Sequence, residues 1–326
     1  MSLVFLTGAT GFVGSNLARL LVDQGEELRC LVRPGNPAKN LVGVPFQKVE
    51  GCLEDEALLG EALGGVDLVI HAAALVSFER KDRDLLYRVN VEGSARVARL
   101  AREAGVSRFL HVSSVSAIGY SEGPKVLDEG SPYNFGCLKI PYCDTKRAAE
   151  EAVLIEVHKG LDGVIVNPSS ILGPGDRRKA EGSLLQAVQK RRLPFLPPGG
   201  VNMVDIRDVL SGILLALEHG VRGERYILGG ENLHGADLIR RIARIAQVPP
   251  PQHSLPRPLA RAFSGFATLW DFVHPMRPPL TPQILRLSTR YLWYSSQKAE
   301  REIGYAPYPI DMAIKMAFDW MYDLDL

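Results

Sequence analysis

The chain has 326 residues, 46% of them apolar, and 38 lysines and arginines stand against 37 aspartates and glutamates. This composition excludes a disordered or collagen-like chain. A formal net charge of +1 gives no electrostatic reason to expect nucleic acid or an anionic membrane as a partner.

From the N-terminus, Met1 to Leu6 is a short apolar run leading straight into Thr7-Gly8, with no charged leader and no cleavage site. The expectation is a cytoplasmic protein. Strand-length apolar runs follow at Leu3–Thr7, Glu27–Val32, Phe46–Val49, Val66–His71, Arg108–Ser113 and Val164–Asn167. Helix-period segments lie between and after them, at Phe12–Gln24, Glu54–Leu63, Asn90–Ala104 and Tyr142–His158. Runs that are apolar at nearly every residue suit a parallel sheet covered on both faces. The alternation predicts an α/β fold, a doubly wound parallel sheet of the Rossmann kind.

After about Gly173 the character changes. Nine of the 22 prolines fall between Pro249 and Pro282 and interrupt the alternation. The expected division is a dinucleotide-binding domain over 1–173, with parts of 200–230, and a smaller C-terminal substrate lobe mainly over 174–326. The apolar segment Leu259–Val273 is either part of a lobe closing over the sheet or a covering helix with no ligand role. No stretch reaches the ~18 uninterrupted apolar residues of a membrane span. Cys30, Cys52, Cys137 and Cys143 form no CxxC pair, and the seven histidines form no i, i+4 pair, so no metal site is read.

Gly8, Gly11 and Gly14 follow the first strand and open a helix. Gly8 permits a tight turn, Gly11 lets the backbone approach a pyrophosphate, and Gly14 lets helix pack on strand. With Thr10, Phe12 and Val13 they form a dinucleotide cradle at a helix N-terminus. The second strand ends at Arg33 rather than at an acidic residue. A guanidinium attracts a 2′-phosphate, so Arg33, with Lys39, points to NADP(H). An exposed arginine stacking on adenine would instead serve either cofactor.

Tyr142 and Lys146 lie four apart, on one face of a helix that Pro141 suits as a start. Moving a phenol from pKa ~10 to ~7 needs roughly 4 kcal/mol, about what one ammonium at ~4 Å supplies. A serine hydroxyl in His111-Val112-Ser113-Ser114 would hold a substrate oxygen beside the tyrosine. Cys143 is expected to point away and to be inert. His71 and His111 read as core or supporting residues, and Asp205, Arg207 and Asp208 as bracing ion pairs. Trp270, Phe272, Trp293 and Tyr294 are a substrate wall or ordinary packing.

In these pieces, in order, the chain resembles the extended short-chain dehydrogenase/reductase superfamily. They are TGATGFVG at 7–14, HAAA at 71–74, Asn90, HVSSVSAIG at 111–119, PYCDTK at 141–146, NPSSILGPGD at 167–176 and VNMVDIRDV at 201–209. LVRPGN at 31–36 and YSSQKAEREIGY at 294–305 are similar to the dihydroflavonol-4-reductase-like group. The resemblance implies Tyr142 as proton donor/acceptor, with Lys146 lowering its pKa and holding the nicotinamide ribose. It implies Ser114, rather than Ser113, as the residue orienting the reacting oxygen. Asn90 would complete a proton relay or fix the active-site helix. Ala72, Ala73 and Ala74 would line the diphosphate and ribose, and Pro168 and Ser169 the nicotinamide.

Two positions depart from the family pattern. Cys52 and Leu53 stand where an Asp often reaches the adenine, so that contact falls to the backbone. Asn167 replaces an Arg of many nucleotide-sugar members. The expected activity is NADP(H)-dependent interconversion of a ketone or aldehyde and an alcohol, on a small-molecule substrate. A nucleotide-sugar epimerase or dehydratase, and a non-catalytic NADP sensor, are the alternatives. Its pocket would be built by Ser121–Ile140 and Pro249–Pro282. Alanine-rich faces (Ala95, Ala98; Ala148, Ala149, Ala152) on the Asn90 and Tyr142 helices suggest a homodimer seam.

Overall fold

The computed structural model describes residues 1–176, 184–263, 265 and 282–323. Trp270, Phe272 and most of Leu259–Val273 lie outside the described residues. In chain order the strands are β1 (Leu3–Thr7), β2 (Glu27–Val32), β3 (Gln47–Glu50), β4 (Leu68–His71), β5 (Arg108–Val112) and β6 (Val126–Leu127). They continue as β7 (Gly163–Pro168), β8 (Ser170–Leu172), β9 (Gly200–Asp205), β10 (Arg225–Leu228), β11 (Glu231–His234) and β12 (Tyr291–Tyr294).

Seven strands form one parallel sheet in the order β10-β7-β5-β4-β1-β2-β3. The order reverses between β1 and β4, where a doubly wound sheet opens its ligand crevice. The fourth strand starts at Leu68 rather than Val66, because the Val66 amide closes a turn onto the Leu63 carbonyl.

The helices that frame the crevice are α1 (Phe12–Asp23), α2 (Glu56–Ala62), α3 (Arg83–Leu86), α4 (Gly93–Glu103) and α5 (Pro141–His158). Asn90 does not open a helix as expected; it sits in a π-helical turn, Tyr87–Glu92, that joins α3 to α4. Alternation along β1 shows why the sheet is buried on both sides. Val4 and Leu6 join the core under α1 and the helix Ile206–His219, while Phe5 joins the core under α2, α4 and α5. Ala98 and Ala149 are fully buried between elements of this chain, whereas Ala95, Ala148 and Ala152 keep partial exposure.

A second, smaller sheet runs β11-β9-β12-β6, with β8 also paired to β9. Its core, with Met203, Leu238, Ile242, Ile314 and Phe318, lies against the helices Gly235–Ile245 and Ile310–Asp323. The sequence pattern did not forecast this sheet, whose strands are two to six residues long and come from distant segments. Among the described residues no helix is long and apolar enough to cross a membrane.

Candidate active site

At the end of β1 the chain turns through Gly8, whose φ is +74°, a left-handed conformation that favours glycine. A Cβ on Gly8 would stand 2.6 Å from the Ala72 carbonyl, and one on Gly14 would stand 2.2 Å from the Gly8 carbonyl. Both glycines are therefore fixed by close backbone approach. Gly11 is the N-cap of α1 and offers no side-chain cap, so the first amides of the helix stay available to an anion. Thr10 ties this turn to the next loop, its carbonyl accepting from Asn40 Nδ2 at 3.0 Å. Phe12 and Val13 pack their half-buried side chains on the sheet. This cradle fits a dinucleotide pyrophosphate.

The other expected cofactor residues divide into two sets. The Ala72 and Ala73 amides bond to the Thr7 carbonyl and hydroxyl, and Ala74 follows them at the same crevice. Pro168 ends β7, and Ser169 follows with a buried hydroxyl that has no partner among the described residues. Arg33 and Lys39 are exposed on the loop after β2, and neither side chain has a partner among the described residues. Cys52 is half-buried. Leu53 is buried against Gly93, with its carbonyl taken by Arg96 at 2.9 Å.

A directional chain of hydrogen bonds links the glycine turn to α5. Ala73 N–H donates to Thr7 Oγ1, and Thr7 Oγ1 lies 2.7 Å from His71 Nδ1. His71 Nε2 lies 2.9 Å from Ser94 Oγ, which donates to the Asn90 carbonyl. Because the serine proton is used there, His71 must donate from Nε2 and accept at Nδ1 from Thr7. Burial first, and the Lys146 charge second, push His71 down to about 3, so the ring is neutral. The Asn90 side chain accepts from Leu75 N–H and donates to the Leu75 carbonyl and to Thr145 Oγ1. Thr145 in turn donates to the Tyr142 carbonyl at 2.9 Å. Asn90 thus anchors the first turn of α5.

Pro141 occupies the first position of α5. Tyr142 hydrogen-bonds Ser114 and packs its ring 5.8 Å from that of Phe78. Its hydroxyl behaves differently from the sequence expectation. Burial pushes it up to about 12, with the Cys143 thiol adding to the rise and the Ser114 bond opposing it. Lys146 is not among the groups that lower it. The lysine ammonium is buried and donates to the Val112 carbonyl at 3.0 Å. Burial lowers Lys146 to about 8, against the pull of Glu150.

A cavity of about 150 Å³ opens over this turn. Polar Ser114, Ser116, Cys143, Ser169 and Ser170 and apolar Phe78, Phe135, Leu287, Leu292 and Tyr294 line it. Cys143 therefore faces the cavity instead of pointing away. Cys143 lines the cavity itself, whereas Tyr142, about 100° away around the helix, lies next to Ser114 and Cys143 of its wall. Burial pushes the Cys143 thiol up to about 12, which keeps it a thiol. Ser113 is buried, and its hydroxyl has no partner among the described residues. Of the Ser121–Ile140 loop, Phe135 reaches the cavity. Trp293 instead donates to the Leu233 carbonyl and packs edge-on to His234. Arg207 grips Asp205 at 2.6 Å, and Asp208 accepts from the Tyr308 amide. Phe78, Ser116, Ser170, Leu287 and Leu292 carried no sequence signal as wall residues, beyond the serines' place in two quoted motifs. Among the described residues no cluster of His, Cys, Asp and Glu could hold a metal ion.

Residues 4–229 match the NAD dependent epimerase/dehydratase family. The chain belongs to that family. It is an oxidoreductase of the extended short-chain dehydrogenase/reductase type. A Synechocystis sp. protein provisionally named a dihydroflavonol 4-reductase is 35% identical over 323 residues, covering 97% of this chain and 93% of that protein. "Sterol demethylase protein B" of Methylococcus capsulatus is 33% identical over 97% of both chains. The crystal structure of gox2253 superposes with a TM-score of 0.88 at 35% identity, covering 99% of each chain. The family uses a nicotinamide dinucleotide, and the glycine cradle fits one.

Proposed function

We propose that this chain is an NADP(H)-dependent oxidoreductase that interconverts a ketone or aldehyde with an alcohol, in the manner of the dihydroflavonol-4-reductase-like group. The observation that carries this reading is the cavity beside Tyr142. No charged side chain lines it among the described residues, which disfavours an anionic sugar nucleotide. A space of about 150 Å³ holds one six-membered ring, by comparison with engineered cavities that take benzene. The relatives named a dihydroflavonol 4-reductase and a sterol demethylase protein carry ring compounds in their names.

Ser114 orients the substrate oxygen, and Tyr142 supplies or removes its proton. A phenol held near 12 is protonated at neutral pH, as the donor in a carbonyl reduction must be. A bound nicotinamide supplies or takes up the hydride at the substrate carbon. Lys146 holds the nicotinamide ribose and Asn90 fixes the helix that carries both residues. Gly8, Thr10, Gly11, Phe12, Val13 and Gly14 receive the pyrophosphate, with Ala72 to Ala74 on the opposite side. Pro168 and Ser169 meet the nicotinamide, and the backbone at Cys52 and Leu53 meets the adenine. The unpaired cations Arg33 and Lys39 favour the 2′-phosphate of NADP.

Residues 1–173, with parts of 200–230, form the cofactor domain in this reading, and 174–326 mainly the substrate lobe. The protein works in the cytoplasm, as a homodimer through the partly exposed faces of α4 and α5. The test is to titrate the protein with NADPH and NADH by fluorescence, then screen ring ketones, aldehydes and sugar nucleotides for turnover. Preferred binding of NADPH and reduction of a ring ketone are expected. Turnover of a sugar nucleotide with retained oxidised cofactor would establish the epimerase reading instead, and binding without any turnover the sensor.

A further inference from the structure

Behind Ser114 and Lys146 lies a buried charge that the proposed chemistry does not use. Glu150 sits one helical turn beyond Lys146 on α5 and is 1% exposed. One of its carboxylate oxygens accepts from Asn167 Nδ2, and the other accepts from Arg225 Nη1 at 3.1 Å. The same Asn167 amide group donates to the Ser114 carbonyl at 2.9 Å. Arg225 also donates to the Glu129 carbonyl, and the Glu129 carboxylate accepts from Ile227 N–H. Glu150 is thereby clamped between β7 and β10, and its position reaches Ser114 through one intervening side chain.

The Glu150 charge also acts on Lys146, one turn back on the same helix, where it favours the ammonium. The titratable neighbours of Lys146 are His71 of β4, His111 of β5 and Glu150 of its own helix. The two imidazoles stack 5.4 Å apart, and burial keeps both neutral. A desolvated ammonium beside neutral rings sheds its proton readily unless an anion stands near. Arg225 shares the Glu150 charge, so Lys146 feels an ion pair rather than a bare anion.

We propose that Glu150 is a positioning residue for both parts of the site: through Asn167 it fixes the Ser114 carbonyl, and by its charge it holds Lys146 as the ammonium. The inference rests on the roles given to Ser114 and Lys146 above.

The direct test is an NMR titration of ligand-free protein labelled at the lysine ε-carbons, with the Lys146 signal identified by its absence from Lys146→Arg. The parent protein should titrate at this site near 8. Glu150→Gln should move the midpoint down by about one pH unit, the scale of one partly neutralised charge close by. A residue that merely supports the fold would lower the melting temperature and leave that midpoint in place. Glu150→Gln strands the Arg225 charge, so Glu150→Gln/Arg225→Gln is the second variant. Two amides there keep a hydrogen bond, and the midpoint should fall by less. A midpoint that stays put or rises in whichever of the two folds overturns the proposal. Retained turnover in Lys146→Met would instead overturn the functional reading. Lost turnover there, with unmoved midpoints in the Glu150 variants, sinks the positioning role alone.

Discussion

The glycine turn and the cavity over α5 share one end of one sheet, yet they are built from different materials. The turn is backbone against backbone. Gly8 and Gly14 are held by contacts with main-chain atoms of Ala72, Ala73 and each other, and its side chains pack into the sheet. The cavity is side chain against side chain, collected from segments as distant as Phe78, Phe135 and Leu292. It also tolerates a polar group that burial penalises: the hydroxyl of Ser169 lacks a partner among the described residues, as do the Ser113 hydroxyl and both ring nitrogens of His111 at the end of the neighbouring strand. A scaffold that holds a common cofactor uses the generic backbone. A site that must select a substrate and move a proton concentrates its cost in specific side chains.

The largest effect that would break this contrast comes from the cavity. Tyr142→Phe should cut turnover by about 10²–10⁴-fold while dinucleotide affinity stays within a factor of about two. Steady-state kinetics and fluorescence titration measure the pair, and a parallel loss of both would erase the distinction between the regions. Lys146→Met sharpens it through stability. Above its ordinary 10.5 the lysine is neutral folded or unfolded, while below about 8 the folded state bears the burial cost in full. The parent protein should therefore gain stability as pH rises from 8 to 10.5 through this group. The methionine variant should lack that slope and unfold later at pH 7, by on the order of 3 kcal/mol. Denaturant melts at three pH values check it, and an inactive but stabilised protein is the expected result.

The turn should respond in the opposite way. Gly8→Ala places a methyl against the Ala72 carbonyl at a positive φ. It should lower stability by about 1–3 kcal/mol and weaken dinucleotide binding as well. A variant with parent-like melting and affinity would mean that the cradle is not set by backbone contact. The smallest effect is at the rim. Arg33→Ala should reduce the preference for NADPH over NADH by about tenfold and leave NADH binding unchanged, the scale of one charged contact to a phosphate.

The same contrast explains what the sequence made legible. The parallel sheet was readable because β1, β4 and β5 are apolar on successive residues, and each covers two cores at once. The turn was readable because glycine spacing reports backbone geometry directly. Tyr142, Ser114 and Lys146 lie together at the expected sheet end, but their electrostatics did not follow from spacing. A four-residue separation fixes the face of a helix, not the direction of a lysine tip, and here Val112 takes that tip. Cys143 differs from expectation for a related reason: a helical wheel gives its angle from Tyr142 but not which of the two the cavity walls enclose, and here it is Cys143. Leu287 and Leu292 could not be assigned, because their approach depends on the second sheet, whose short strands have no period long enough to read.

The π-helical turn at Tyr87–Glu92 has a consequence for how this chain can vary. It carries a residue more per turn than the α-helix on either side. That surplus lets Asn90 face Leu75 and Thr145 while Ser94, one turn on, meets His71. Deleting one residue here would let the segment wind as an ordinary α-helix with its flanks nearly in phase, and would turn Asn90 away from Leu75 and Thr145. Surface loops absorb changes in length, but this stretch works as a gauge block: its residue count, more than its composition, keeps Asn90 aimed into the crevice.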